Sequence, residues 1–408
     1  MQIYVTGLGL ISSIGLNVAQ NLTSLINGKS GIGAFEYLST RHQGILPVGE
    51  IKLSNQALAD MFEPKESGLG LRNALLSMIA VKEALIHAGL FANDQLAASM
   101  RTGLISGTTV GGMDTSEDFY ALYLKDPSKG RLRNIIHHDP GAVTDLLARE
   151  LGFTHFVSTI STACSSAANA IMLGARMIRQ GLLDRVVVGG TDALTRFTVN
   201  GFNSLMILDK SPCKPFDANR QGLNLGEGAG FIVLESAAAT KRRESHILCS
   251  LSGYGNANDA HHQTASSPDG RGAFMAMDAA LKVSGLSPHD ISYINVHGTG
   301  TSNNDLSEGI AIKRIFGETP PPFSSTKAFT GHTLAAAGGL EAVYAVLAIQ
   351  TQQIFPNLRF ETPIPALGLV PETSLRTDVP IQHVLSNSFG FGGNCTSLLF
   401  SKCLGISS

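Results

Sequence analysis

The same order of apolar run, polar turn and alanine-rich segment occurs twice along this 408-residue chain. In the first half, VSTISTACSSAANAIMLGARMIRQG has a strand-like run, a turn that contains Cys164 and a helical segment. In the second half, FSSTKAFTGHTLAAAGGLEAVYAVLAIQ has this order again, with His332 in the turn. RVVVGGTDA follows the first unit as HVLSNSFGFGG follows the second, and TGLISGTTVGG resembles INVHGTGTS. The pattern predicts two similar halves, residues 1–240 and 241–408, with chance similarity between α/β halves as the alternative.

Short β-rich apolar runs that end in Gly or Ser predict buried strands. The candidates are Ile3–Leu8, Thr102–Ser106, Phe156–Ile160, Arg185–Val188, Phe231–Leu234, Ile247–Ser252, Ile291–Val296 and His383–Ser386. Alanine-rich segments such as Ser165–Arg179 and Thr333–Gln350 have helical patterns. Alternating strands and helices predict an α/β protein with largely buried sheets. A pseudo-twofold axis between the halves would bring the turns of Cys164, His297 and His332 to one site.

Composition narrows the class of protein further. Lys and Arg total 30 and Asp and Glu total 32, and this formal net charge of -2 is not typical of a nucleic-acid-binding protein. The five cysteines are widely spaced and form no CxxC pair, so neither a disulfide framework nor a metal site is expected. No basic segment precedes the apolar N-terminal stretch, and no uninterrupted apolar run of ~18 residues occurs. We therefore expect a soluble, cytoplasmic protein that does not span a membrane.

Cys164 lies in the sequence STACSSA, between a β-rich run and an alanine-rich segment. This context predicts that its sulfur lies at a helix N-terminus, where unpaired backbone N–H groups and the helix dipole favour a thiolate. The neighbouring hydroxyl groups can hydrogen-bond the turn. A free cysteine that only fills a small apolar space is the alternative. The histidines in related turns favour a catalytic nucleophile.

Two histidines occur in contexts that the repeat relates to that of the cysteine. His297 follows the apolar run ISYINV and precedes GTGTS, whose glycines permit close approach of the backbone. His332 lies in STKAFTGHTLAAAGG, at another strand-to-helix turn. Lys327 lies five residues before His332, and Glu308 and Glu341 are candidate partners for its ammonium group. A purely structural role for each of these residues is the alternative.

The sequence FGFGGN, residues 389–394, places glycines beside aromatic rings. The simplest interpretation is a tight turn. The functional interpretation is a backbone N–H donor for an oxyanion, beside a ring that swings across a pocket. The candidate site residues of this segment are Phe389, Gly390, Phe391 and Gly392.

Six motifs together resemble those of one enzyme family, in family order: VTGLGLISSIG, TACSSA, KPFDANRQGLNLGEGAG, VHGTGTSNND, SSTKAFTGH and SNSFGFGG. The chain resembles the β-ketoacyl-(acyl-carrier-protein) synthases, Cys-His-His condensing enzymes of the thiolase superfamily, and is most similar to the synthase II type. The resemblance covers essentially the whole chain. It implies an α/β, thiolase-like fold of five layers, α-β-α-β-α, with two pseudo-twofold-related halves, in agreement with the repeat.

The resemblance also implies the reaction. An acyl chain passes from acyl carrier protein to Cys164 and is then condensed with malonyl carrier protein, with loss of carbon dioxide. The product is a β-ketoacyl carrier protein in fatty-acid or polyketide/polyene biosynthesis. His297 and His332 would promote decarboxylation and stabilise the enolate. Lys327 would organise the site, with Glu308 as the acid near it.

Further residues take implied roles by the same resemblance. The Phe391 ring would be the gate, and its backbone N–H would join that of Cys164 in the oxyanion hole, within the segment that holds Gly390 and Gly392. The residues implied in substrate binding are Val110, Phe389, Thr299, Thr301, Asp259, His262 and Thr264. Basic residues that would dock the acidic carrier protein are Lys129, Arg131, Arg133, Lys210 and Lys214. For these five, an ordinary solvated surface is the alternative.

The resemblance implies no cofactor, because phosphopantetheine arrives on the carrier protein. It implies a homodimer, and a heterodimer with a Cys-less ketosynthase paralogue is the second possibility. A non-catalytic chain-length subunit and a non-decarboxylating thiolase are alternative functions. The cysteine and both histidines argue against the first, and the TGH of His332 argues against the second. Asn394 and Cys395 follow GFGG where the family usually has Thr-Asn, which leaves the anchoring of the gate open.

Overall fold

The computed structural model describes residues 2–62, 70–90 and 100–403. Within these residues, ten strands form one sheet: β1 (Ile3–Ser12), β2 (Thr102–Gly107), β3 (Phe156–Ile160), β4 (Arg185–Asp192), β5 (Gly228–Ser236), β6 (Cys249–Asn258), β7 (Tyr293–Asn295), β8 (Phe323–Ser324), β9 (His383–Phe389) and β10 (Asn394–Ser401). The helices are α1 (Val18–Ile26), α2 (Asn55–Phe62), α3 (Arg72–His87), α4 (Met113–Lys125), α5 (Pro140–Leu151), α6 (Ser166–Arg179), α7 (Arg196–Ser204), α8 (Ala237–Arg243), α9 (Arg271–Ser284), α10 (Ser302–Phe316), α11 (Lys327–Thr330) and α12 (Ala337–Thr351).

The strand order shows the repeat directly. The order is β3-β2-β4-β5-β1-β6-β10-β9-β7-β8, so each strand of the first half has a counterpart at the mirrored position. In both halves the three outer strands are parallel and the fourth is antiparallel to them. The halves meet at β1 and β6, where Tyr4 pairs with Ser250 and Val5 with Cys249. The two halves are therefore related by a pseudo-twofold axis, as the repeated motifs predict.

The helices complete a five-layered arrangement. α6 and α12 lie between the halves, because each contacts strands of both. α3 and α5 cover the outer face of the first half, and α9 covers that of the second with α10 beside it. The largest apolar core fills the central layer, and separate cores lie under each outer layer. This is the predicted α-β-α-β-α order.

Glycines permit the central helix α12 to lie directly on the backbone of β5. A Cβ atom on Gly230 would lie 2.4 Å from the backbone nitrogen of Leu340, and one on Gly339 would lie 2.3 Å from the carbonyl oxygen of Gly230. Either atom would collide with the facing backbone. The glycines of GEGAG and AAAGG are therefore explained by close packing, which brings the N-terminal end of α12 against the sheet.

All eight strand candidates lie within observed strands or overlap them. Of the two remaining strands, β8 is the strand-like run that opens the second repeat unit, and β10 was not predicted. The helix predicted from residue 333 begins as a 3-10 turn, Leu334–Ala336, and continues as α12. By length and apolar composition alone, Leu334–Thr351 would suffice to cross a membrane, but 89% of it is buried inside the protein, as in a core helix. The boundary between residues 240 and 241 stays a prediction.

Candidate active site

Cys164 lies at the turn from β3 to α6, with its side chain buried. Ala163 before it has a φ of +53°, a backbone conformation that few L-residues adopt. The backbone N–H groups of Cys164 and Phe391 both lie near the Cys164 sulfur and lower the pKa of its thiol. A Cβ atom on Gly390 would lie 2.8 Å from the carbonyl oxygen of Thr162, so the glycine lets the 389–394 segment approach this turn. Two N–H donors from different halves of the fold thus converge on one sulfur.

Burial acts against the thiolate that the N–H groups of this turn favour. Burial raises the pKa of the Cys164 thiol to about 12, although the Lys327 ammonium and the Phe391 N–H group oppose this effect. The turn does supply the predicted N–H donors. However, loss of hydration disfavours a buried anion more strongly than these donors favour it. The resting nucleophile is therefore a thiol that must lose its proton during attack.

His297 and His332 come together as the repeat predicts. Their ring centroids are 5.3 Å apart in an edge-to-face arrangement, and both side chains are buried. Burial and the Lys327 ammonium hold the pKa of both imidazoles well below 6.5, so both rings are neutral at pH 7. The Leu334 N–H group donates to His332 Nδ1 at 3.3 Å, which leaves the proton of the neutral ring on Nε2. The pair can thus donate hydrogen bonds without carrying a positive charge.

Lys327 is buried and forms an ion pair with Glu341 of α12. Burial raises the pKa of Glu341 to about 7, although Lys327 opposes the shift. Of the two candidate carboxylates, Glu341 and not Glu308 is therefore the ion-pair partner of Lys327. Glu308 instead accepts hydrogen bonds from the backbone N–H groups of His297 and Gly298, each at 2.8 Å. Glu308 lies on α10, whose position brings the carboxylate to the end of β7. There its two hydrogen bonds fix the backbone of the turn that carries His297.

One cavity of about 100 Å³, the histidine cavity, is lined by most of the residues predicted for catalysis, gating and substrate binding. Its lining includes Cys164, His297, Thr299, Thr301, His332 and Phe389. The Thr299 and Thr301 hydroxyls are 2.9 Å apart, and Thr301 also caps α10. The cavity therefore presents two hydroxyl groups and two imidazoles together with the nucleophile.

A second cavity of about 190 Å³, the apolar cavity, also reaches Cys164. Val110 lines it, as the resemblance implies, together with Met113, Phe197 and Leu334. Phe391 and Phe202 line both cavities, and their rings stack with centroids 5.5 Å apart. This stacked pair lies where the two cavities meet. An apolar chain attached to the sulfur therefore lies against these rings when it occupies the apolar cavity.

The segment that carries Phe391 contacts the 258–267 loop. Gly392 N–H donates to the Gln263 carbonyl at 2.8 Å, and the Asp259 N–H donates to the Gly393 carbonyl at 3.2 Å. Thr264 lines the histidine cavity, whereas the exposed His262 does not. Asp259 binds backbone N–H groups of its own loop.

Two corrections follow for the residues assigned to this region. Asp259 and His262 support the loop and do not line either cavity. The N–H groups of Gly390 and Gly392 donate to Asn394 and Gln263. These two glycines therefore shape the turn, and the oxyanion donor of the segment is the N–H group of Phe391.

Of the residues predicted for carrier-protein docking, four have exposed or partly exposed side chains in the described part of the structure. Lys129, Arg131 and Lys210 are exposed, and Lys129 pairs with Asp126 at 3.5 Å. Lys214 lies 3.3 Å from Glu361. The side chain of Arg133 lies outside the described part of the structure. Docking by these residues stays a prediction.

Sequence reasoning missed Asp192, which joins the turns of the two halves. Its buried carboxylate accepts hydrogen bonds from Thr108, Thr109 and Val110, and also from the N–H group of Ala335 near the second histidine. The repeat could have indicated Asp192, because GGTDA, which contains it, occupies the same place after the first unit as the gate segment SFGFGG does after the second. Phe202 had no such signal, since its stacking with the gate depends on the position of α7.

The residues and fold of this site are those of a thiolase-fold condensing enzyme, and known proteins similar to this chain belong to the same class. The profile of the β-ketoacyl synthase N-terminal domain matches residues 1–239, and that of the C-terminal domain matches residues 248–361. The chain belongs to the β-ketoacyl synthase family.

Individual relatives cover the chain almost completely. It is 34% identical to 3-oxoacyl-(acyl-carrier-protein) synthase 2 of Staphylococcus aureus strain N315, over 98% of each chain. It is also 34% identical to a putative mitochondrial 3-oxoacyl-(acyl-carrier-protein) synthase of Schizosaccharomyces pombe, over 99% of each chain.

Solved structures are similar over the same length. The ishigamide ketosynthase/chain length factor structure has a TM-score of 0.93 at 29% identity and covers 98% of this chain and 99% of that one. The ketosynthase ApeO with its chain length factor ApeC, from Xenorhabdus doucetiae, has a TM-score of 0.85 at 33% identity and covers 98% of each chain. The fold of this chain is therefore that of the ketosynthases.

Proposed function

We propose that the protein is a decarboxylating 3-oxoacyl-(acyl-carrier-protein) synthase, an acyltransferase that elongates an acyl chain by two carbons. The observation that carries the proposal is the meeting of a buried thiol, two backbone N–H donors and two neutral imidazoles in the histidine cavity. A thiolase-like alternative needs no decarboxylation. The paired neutral histidines favour an enolate that forms by loss of carbon dioxide.

The first half-reaction is transfer of the acyl group to Cys164. The sulfur attacks the thioester carbonyl of the acyl carrier protein, a new C–S bond forms and the C–S bond to phosphopantetheine breaks. The thiol proton of Cys164 ends on the leaving pantetheine sulfur. During attack, the carbonyl oxygen gains negative charge, which the N–H groups of Cys164 and Phe391 stabilise. The apolar chain then occupies the apolar cavity.

The second half-reaction is condensation. His297 and His332 donate hydrogen bonds to the thioester oxygen of malonyl carrier protein. The C–C bond to the malonyl carboxylate breaks and carbon dioxide leaves. The electron pair of the broken bond stays on the thioester fragment, which becomes an enolate. The enolate carbon attacks the acyl-Cys164 carbonyl, a C–C bond forms and the C–S bond breaks. The Cys164 thiolate then takes a proton from solvent, and the oxyanion of attack is again held by two N–H groups.

The partners proposed for this chain follow from its relatives. One structural neighbour is a type II polyketide ketosynthase in complex with its acyl carrier protein, and another is a ketosynthase with its chain length factor. We infer that this chain binds acyl- and malonyl-loaded carrier protein and pairs with a second ketosynthase-fold chain, either a copy of itself or a Cys-less paralogue. It needs no bound cofactor in this scheme, and its proposed location is the cytoplasm.

A non-catalytic chain-length subunit is the second candidate, since one neighbour is described as a ketosynthase/chain length factor. The structure of the site favours catalysis. A subunit that only shapes its partner's cavity has no use for two N–H donors aimed at a thiol or for neutral paired imidazoles.

A reconstituted assay tests the proposal. The purified chain is mixed with acyl and malonyl carrier proteins of several chain lengths, and the products are read by intact-protein mass spectrometry. We expect an acyl adduct on Cys164 and a β-ketoacyl carrier protein, with release of carbon dioxide. An adduct without condensation would point to a missing partner or to an acyl chain of the wrong kind. Neither adduct nor product, with short, long and polyunsaturated chains, would instead support the non-catalytic subunit.

The charge state of the histidines gives a separate prediction. Because the pKa of His297 and His332 lies well below 6.5, neither ring should gain a proton as the pH falls from 8 to 6. Carbon-13 NMR of histidine-labelled protein would measure this, with His297→Gln and His332→Gln variants to assign the two signals. Both assigned signals should keep the chemical shift of a neutral ring throughout. Titration of either with a midpoint between 6 and 7 would contradict the proposed neutral donors.

A further inference from the structure

Asn394 occupies the end of the gate segment and binds the turn of the nucleophile. Its backbone carbonyl accepts the N–H group of Gly390 at 2.8 Å, which closes the short turn that holds Phe391. Its side-chain oxygen accepts a hydrogen bond from Ser165 Oγ at 2.8 Å. Ser165 is the residue directly after Cys164. The same residue therefore closes the gate turn and ties it to the cysteine.

Two other asparagines strengthen this contact. Asn169 of α6 donates to Asn394 Oδ1 at 2.8 Å, and Asn256 of β6 donates to it at 2.9 Å. Asn169 also donates to the Thr162 hydroxyl at 2.9 Å, on the other side of the nucleophile. We call Asn169, Asn256 and Asn394 the asparagine cluster. It joins the nucleophile turn, β6 and the gate segment through a single acceptor oxygen.

The hydrogen bonds of Asn394 depend on the order of residues 394 and 395, because neighbouring side chains of a strand lie on opposite faces. Successive residues of β10 point to opposite faces of the sheet. Asn394 points to the central layer and α6, whereas Cys395 belongs to the outer apolar core and lies near Gly272 of α9. The usual family order, Thr-Asn, would place the amide on the outer face and a short hydroxyl toward α6. In this chain the longer amide side chain is the one that reaches Ser165 and Asn169.

We propose that Asn394 is a positioning residue that restrains the Phe391 gate and thereby limits which acyl chains reach the apolar cavity. The proposal rests on the proposed function, because it assumes that acyl chains are delivered to Cys164. The Phe391 and Phe202 rings line both cavities and stack on each other, so a long chain that fills the apolar cavity presses against them. Displacing Phe391 moves a turn whose far end three hydrogen bonds hold in place. A short acyl group needs less displacement.

The test compares acylation of Cys164 by short and long chains in the same protein. Wild type, N394T and C395S are each mixed with butanoyl- or dodecanoyl-carrier protein, and acyl-Cys164 is followed by quenched flow and intact-protein mass spectrometry. N394T shortens the side chain to the usual family residue. C395S is the matched control, because it changes the next residue of the strand on the opposite face. Circular dichroism and thermal unfolding check that each variant is folded.

We expect N394T to raise the ratio of dodecanoyl to butanoyl acylation rate constants at least fivefold, and C395S to leave it within twofold of wild type. A folded N394T with a ratio within twofold of wild type would overturn the proposal. A rise of the same size in C395S would also overturn it, because the effect would then not belong to the central face. If N394T does not fold, N256A replaces it, with a threefold rise as the criterion. Absence of acylation in wild type would contradict the proposed function instead.

Discussion

A Cys164→Ala variant is expected to form no acyl adduct and to lose condensation by at least about 10⁴-fold. The cysteine is the residue on which two N–H donors converge, at the point where the histidine cavity and the apolar cavity meet. Without its sulfur, the acyl group has no covalent attachment, and the reaction cannot be divided into two easier steps. The histidine cavity itself should keep its shape, because the change removes a single buried atom.

Intact-protein mass spectrometry measures both the adduct and the β-ketoacyl product. Cys249→Ala is the matched control, since Cys249 is also a buried thiol but lies in the central core at the start of β6. The control should keep the adduct and the activity. If Cys164→Ala elongated acyl chains at a rate near that of wild type, the assignment of the nucleophile would be wrong.

The second large effect is expected for Lys327→Met. This change leaves Glu341 without its ion-pair partner in the protein interior, and such a change destabilises a protein by about 3–5 kcal/mol. It also removes the positive charge that helps to hold the pKa of both histidines low. Condensation should therefore fall by roughly 10²-fold, the scale of an acid-base contribution. Urea unfolding and the product assay measure the two effects separately.

A double variant separates stability from activity. Lys327→Met with Glu341→Leu removes both charges, so it should regain much of the free energy of unfolding that the single variant loses. It should not regain condensation, because the ammonium group beside the histidines is still missing. A single variant as stable as wild type would contradict the buried ion pair. A fully active double variant would show that the lysine acts only on stability.

The choice between two carboxylates illustrates what sequence reasoning left open. Glu308 and Glu341 both lay within reach of Lys327 as far as spacing could tell, and the resemblance selected Glu308. In the structure Lys327 pairs with Glu341. Lys327 lies on α11 and Glu341 on α12, and the packing of these two helices brings the side chains together. A partner of this kind depends on how two helices cross, which local sequence does not encode.

The charge state of Cys164 is a second example. Its place before a helix correctly predicted N–H donors near the sulfur. The pKa of the thiol is nevertheless raised to about 12, because the turn is buried between two halves of the fold. Local sequence shows the donors, whereas the extent of burial depends on everything that packs around them.

The α/β class, the duplicated halves and the meeting of Cys164, His297 and His332 could all be predicted from the sequence. Those features follow from periodicity and from motifs repeated in the same order, which depend on neighbours along the chain. Tertiary packing, in contrast, sets which carboxylate pairs with Lys327, the stacking of Phe202 on the gate and the contact of Asn394 with the nucleophile turn. Each of these contacts joins residues that are distant in sequence, and their geometry is set by the packing of the two halves against each other.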